Sequence, residues 1–130
     1  ADDALVEASG WGHAESVDRL LGSYGASAQA AASPELLARR ESLTSGDTAL
    51  HAASRAGNAE TMTALLAHGA FADAANGGGS TPLFIAALKG HTDTARVLLA
   101  HGASGNAART DGVTPLHAAA QKGHTDTAKV

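Results

Sequence analysis

One interval governs this chain. Thr48, Thr81 and Thr114 lie 33 residues apart, as do Gly57, Gly90 and Gly123, and Gly69 and Gly102 keep the same step. A fixed period of roughly 20–50 residues marks an array in which each unit packs on its neighbours, so stability is spread along one dimension. The unit itself reads as two short helices. In the copy at 81–103, Thr81 is placed to cap a helix with its hydroxyl, and Pro82 takes the first helical position, where a missing N–H costs nothing. Leu83, Ala86 and Ala87 recur at i, i+3 and i+4, which predicts one apolar face, and Gly90 predicts a left-handed stop. Asp93 suits the first turn of a second helix, Ala95, Leu98 and Leu99 form its predicted buried stripe, and Gly102 ends it. Helices this short are marginal alone in water and must stack. Composition agrees: apolar residues make up 44% but aromatics only 3%, and the alanine-rich remainder suits thin, closely packed helices better than a sheet core.

Three motifs recur in a fixed order. They are T-P-L-H (114–117, with variants at 48–51 and 81–84), A-A-x-x-G-H (86–91 and 119–124) and L-L-x-x-G-A (65–70 and 98–103). With these motifs the chain resembles the ankyrin repeat over nearly its whole length. The resemblance implies an all-α solenoid of stacked helix–turn–helix units with hairpin-like fingers, in about four repeats. A degenerate first repeat is expected at 1–26, then repeats at 45–77 and 78–110, and an incomplete one at 111–130. It also implies that the T-P-L-H histidines, His51 and His117, hydrogen-bond neighbouring backbone and steady the finger. Phe84 takes that place in the third repeat, so the tether is expected to be missing there.

The count fails once. In the first repeat Gly12 matches Gly57 and Leu20-Leu21 match Leu65-Leu66, with Asp2 or Asp3 as expected cap, which leaves about eleven surplus residues before Thr48. The surplus is placed at 27–44 as an enlarged finger. Ser33-Pro34-Glu35 is a helix-start signal, Leu36 and Leu37 supply an apolar side and Arg39 and Arg40 favour solvent, predicting a short extra helix over about 34–42. At the other end the last repeat stops at Val130, partway through its second helix. A fragment of a longer repeat protein is expected, monomeric, with an uncapped C-terminal end able to self-associate.

Several function classes are disfavoured. A net charge of −4 argues against nucleic acid, whose binding relies on neutralising phosphates with Lys and Arg. There is no cysteine for a disulfide framework or thiolate chemistry, which fits a reducing compartment, so an intracellular, cytoplasmic location is expected. No apolar run approaches the roughly 20 residues that cross a bilayer, so no membrane insertion is expected. All seven histidines occupy repeat positions and no pair sits at i, i+4 on a helix, so no metal and no other cofactor is expected. The run NGGGST (76–81) lacks the lysine of a phosphate-binding loop and reads as a mobile finger tip. No serine stands in a nucleophile elbow and no carboxylates pair by spacing, so no catalytic residue is assigned and the chain is not expected to be an enzyme.

Ankyrin proteins generally bind other proteins on a concave surface made of finger tips and first-helix ends. Carried over by position, the helix-end candidates here are Trp11, Arg55, Leu88, Lys89, Gln121 and Lys122, and the finger candidates are Asp47, Ser80, Asp111 and Val113. Trp11 and Leu88 stand out as apolar anchors, with Phe71 a third exposed candidate. Trp11 has an alternative, folding back under the enlarged finger onto Leu36 or Leu37. Arg39 and Arg40 either grip a phosphate or acidic peptide or form a plain solvated face. The expected function is a non-catalytic protein–protein interaction module whose protein partner the sequence does not name. The alternative is a regulatory or targeting segment of an enzyme whose catalytic domain lies beyond residue 130.

Overall fold

Threonine and glycine set the limits of the inner helices. In the computed structural model, which describes residues 2–11, 15, 17 and 46–129, Thr81 Oγ1 accepts the Phe84 N–H at 3.2 Å and Thr114 Oγ1 accepts the His117 N–H at 3.3 Å. Pro82 and Pro115 follow these caps, and Gly57 and Gly90 close the helices with φ of 72° and 74°. Seven helices result among the described residues: α1 (Asp2–Trp11), α2 (Ala49–Ala56), α3 (Ala59–Ala67), α4 (Pro82–Lys89), α5 (Thr92–Ala100), α6 (Pro115–Gln121) and α7 (Thr125–Ala128). The all-α architecture implied by the repeat is the one observed.

Two rows of helices build the slab. The inner row runs α1, α2, α4, α6, each helix packed on the next, and the outer row runs α3, α5, α7 behind it. Leu5, Val6, Leu50, Met62, Leu65 and Leu98 fill the space between the rows, together with Val17. Small side chains let the inner helices approach closely: Ala49, Ala52, Ala53, Ala86 and Ala118 are all buried. The single apolar face expected for α4 underestimates its burial, because every residue from Pro82 to Ala87 is buried. Its neighbours α2 and α6 flank it, α5 backs it and a finger covers its start, so little of its circumference reaches water.

The repeats are also stitched by polar contacts. His91 Nε2 donates to the Arg55 carbonyl at 3.2 Å, and one period later His124 Nε2 donates to the Leu88 carbonyl at 3.1 Å. At the starts of α5 and α7 the histidine thus satisfies an orphan carbonyl at the end of the inner helix one repeat earlier. These rings occupy the space beside Gly57 and Gly90: a Cβ added there would meet the His91 ring at 2.6 Å and the His124 ring at 2.7 Å. Glycine is therefore required at 57 and 90 twice over, by its left-handed φ and by the imidazole against it.

Some expectations fall beyond this description. The inserted helix at 34–42 with Arg39 and Arg40, the Trp11 contact to Leu36 or Leu37, and the first-repeat positions Gly12 and Leu20-Leu21 lie outside the described residues. So do the side chains of Asp2 and Asp3, whose backbone opens α1.

Candidate protein-binding surface

The finger joining α3 to α4 is held from below by three polar side chains. The Thr48 N–H donates to His51 Nδ1 at 3.0 Å, so that nitrogen accepts and the ring proton sits on Nε2. Nε2 then donates to the Ser80 carbonyl at 2.8 Å, tying α2 to the finger 29 residues on. Burial pushes the His51 imidazole below the ordinary histidine value of 6.5, the Ser80 bond and the Asp47 charge opposing that shift only in part. Asp47 sits beside it with no exposure at all, accepting from Arg55 Nε at 3.0 Å and from Asn76 Nδ2 at 2.9 Å. Asn76 in turn uses Oδ1 to accept the N–H groups of Gly78 and Ser80, both at 3.0 Å.

One reading of the sequence is corrected here. Asp47, expected as a finger contact for a partner, is interior: an acid this deep persists only with its charge paired and its lone pairs filled, as Arg55 and Asn76 do. The NGGGST run forms the turn at the finger tip, with Asn76 N–H donating to Ser80 O and Gly79 N–H to Asn76 O, both at 3.0 Å.

The next finger, joining α5 to α6, lacks a histidine below it. Phe84 lies there instead, only 2% exposed, with the Arg109 guanidinium 4.9 Å from its ring centroid. Arg109 also grips Asp111 through two N–H donors, which holds the Asp111 carboxyl below its usual range. The finger-to-finger link is Thr110 Oγ1 donating to Gly78 O at 3.1 Å.

Between the two fingers opens a cleft of about 410 Å³ lined by Arg55, Asn76, Gly78, Ser80, Phe84, Ile85, Leu88 and Arg109. The structure thus brings together four of the sequence-derived candidates or their neighbours: Arg55, Ser80 and Leu88 line the cleft, and Lys89 stands exposed beside Leu88. Leu88 itself is half-buried rather than fully exposed, since the cleft wall shelters one side of it. Asp111, Gln121 and Lys122 are exposed further along the same row, Val113 is half-buried, and Trp11 (62% exposed) ends α1 at the other end. Phe71 is 61% exposed just after α3 and does not line the cleft. Sequence reasoning missed Arg109 and Ile85. An arginine whose partner ring lies 25 residues earlier carries no local signal.

A smaller apolar hollow of about 110 Å³ lies at the C-terminal end, lined among others by Leu99, Pro115 and Leu116. Leu116 is 57% exposed while its counterparts Leu50 and Leu83 are buried, because no further inner helix packs on α6 among the described residues. Among those residues no group of histidine and carboxylate side chains converges as a metal site. His51, His91, His101, His117 and His124 all bond backbone instead.

A family model described as ankyrin repeats in three copies matches residues 5–109 and, in a second register, 72–130. The chain belongs to the ankyrin-repeat family. No curated protein matches it. Ankyrin repeats are generally protein–protein interaction modules, and the fold is a non-catalytic one. No helix among the described residues is long and apolar enough to cross a membrane.

Proposed function

We propose that this ankyrin-repeat chain recognises a protein partner on the face formed by its fingers and inner-helix ends. The observation that carries the reading is the cleft over Phe84, Ile85 and Leu88, apolar at its floor and rimmed by Arg55 and Arg109. Its walls belong to a preformed scaffold, stitched by the His51, His91 and His124 bonds, so little conformational freedom is lost when a partner docks. Lys89, Lys122 and Gln121 extend the surface along the row, and Trp11 supplies a large exposed anchor at the opposite end. The enlarged finger at 27–44, with Arg39 and Arg40, is proposed to add to partner choice, since insertions in repeat arrays map to loops that often border the binding face. Repeat boundaries at 45, 78 and 111 follow from the same reading. The chain is proposed to act as a monomer, with the apolar end at Leu116 as its site of self-association.

Capture from cell lysate by the wild type and by a Trp11→Ala/Leu88→Ala/Lys89→Glu variant, its helicity checked by circular dichroism, tests the reading. A partner retained by the wild type and lost from the folded variant supports recognition on this face. Equal capture by both contradicts it and turns attention to residues 27–44.

A further inference from the structure

The charges on this face do not follow the chain as a whole. The protein carries a net −4, yet among the described residues from α2 onward the finger and inner-helix side is weighted toward cations: Arg55, Lys89, Arg109 and Lys122. Its acids are already committed, Asp47 to Arg55 and Asn76 in the interior and Asp111 to Arg109. The remaining described acids from α3 onward belong to the outer helices and the turns that follow them. Glu60, Asp93 and Asp126 occupy first turns of outer helices, and Asp73 accepts the Ser104 N–H between turns. Lys89 and Lys122 are exposed, one period apart, and neither forms an ion pair among the described residues. Next to Lys89 in the chain, and lined also by Arg55 and Arg109, lies an apolar seat, Phe84 and Ile85 at 2% and 3% exposure with half-buried Leu88.

We infer that the occupant of this face is a linear acidic peptide segment carrying one large apolar side chain. This rests on the finger-and-helix-end face being the recognition surface. The apolar side chain enters the cleft against Phe84, Ile85 and Leu88, and flanking carboxylates lie over Lys89 and Lys122. A basic or neutral segment leaves the two lysines without a counter-charge and gains nothing from their field, so the bias favours acid in both encounter and register. The spacing suits an extended chain: neighbouring helices pack about 8–10 Å apart, and residues i and i+3 of a polyproline-II segment lie about 9 Å apart on one side.

Selection of a random linear peptide library on the folded wild-type chain tests this, with dissociation constants of enriched peptides read by fluorescence anisotropy. The expected peptides are net negative and hold one bulky apolar residue. Replacing that residue by glycine abolishes their binding, and Lys89→Glu/Lys122→Glu weakens it about tenfold or more, with a matching loss on adding salt. Both lysines are exposed, so this variant keeps its fold, which circular dichroism verifies; Leu88→Ser reports separately on the cleft. Neutral or basic peptides that are nevertheless lost on Leu88→Ser overturn the acidic-segment inference and leave the recognition face standing. Peptides insensitive to both variants overturn both, and failure to enrich any peptide overturns the inference that the occupant is linear.

Discussion

The two described fingers make one turn with two chemistries. In the first, Asn76 N–H reaches Ser80 O at 3.0 Å and Gly79 N–H reaches Asn76 O at 3.0 Å; in the second, one period later, Arg109 N–H reaches Val113 O and Gly112 N–H reaches Arg109 O, both at 2.8 Å. Beneath the first lies a buried polar network of His51, Asp47 and Asn76. Beneath the second lies an aromatic ring with an arginine over it. The backbone turn is therefore independent of what fastens it to the inner helix. What differs is the side chain beneath the turn: the first finger rests on a buried imidazole and carboxylate, whereas Phe84 gives the cleft an apolar floor. The departure of Phe84 from the T-P-L-H pattern removes a tether and makes the seat proposed to receive a partner.

Breaking the first finger at its acid has the largest expected effect. Asp47→Ala strips acceptors from Arg55 and Asn76 in a dry site and is expected to cost about 3 kcal/mol in urea unfolding. Asp111→Ala, its exposed counterpart in the second finger, leaves the unfolding midpoint within error of the wild type. His51→Ala comes next, at about 2 kcal/mol, for the lost Ser80 and Thr48 bonds together with the cavity. Importing the second finger's chemistry sharpens the point: His51→Phe/Asn76→Arg is expected to recover part of that loss.

Acid separates the two fingers as well. The folded-state pKa of His51 lies below 6.5, so the unfolded chain binds the proton more readily. Its contribution is full above 6.5 and is lost as pH falls below that value toward the folded pKa. Stability measured between about pH 7 and pH 5 should fall in the wild type, and the part due to His51 should vanish in His51→Phe/Asn76→Arg. Phe84 contributes no such slope.

Smaller effects probe the stitching between repeats. Gly90→Ala puts a Cβ into the His124 ring at a left-handed backbone position and is expected to cost about 1–2 kcal/mol in the same unfolding assay. Lys89→Glu is expected to change stability by no more than about 0.5 kcal/mol, because an exposed charge without partners affects recognition rather than folding.

Much of this architecture is legible in the sequence because the signals are local and repeat. Thr81, Pro82 and Gly90 each act within a few residues, and the Leu98 stripe needs only helical spacing. What escapes such reading depends on residues about one period away. The buried role of Asp47 is invisible until Asn76 is seen to reach it. His91 and His124 read as unremarkable polar residues until the carbonyls of Arg55 and Leu88 are found within reach. Trp11 illustrates the third case: position alone left it either an exposed anchor or packed on Leu36 or Leu37, and that cover falls outside the described residues.

Amide hydrogen exchange, with and without a saturating peptide from the selection or the partner recovered by capture, tests the central claim most directly. Recognition on the finger and inner-helix face predicts slowed exchange confined to the finger turns around 78–80 and 110–113 and to the ends of α4 and α6, with α3 and α5 unchanged. Protection concentrated on α3 and α5, with the cleft residues unaffected, would contradict it.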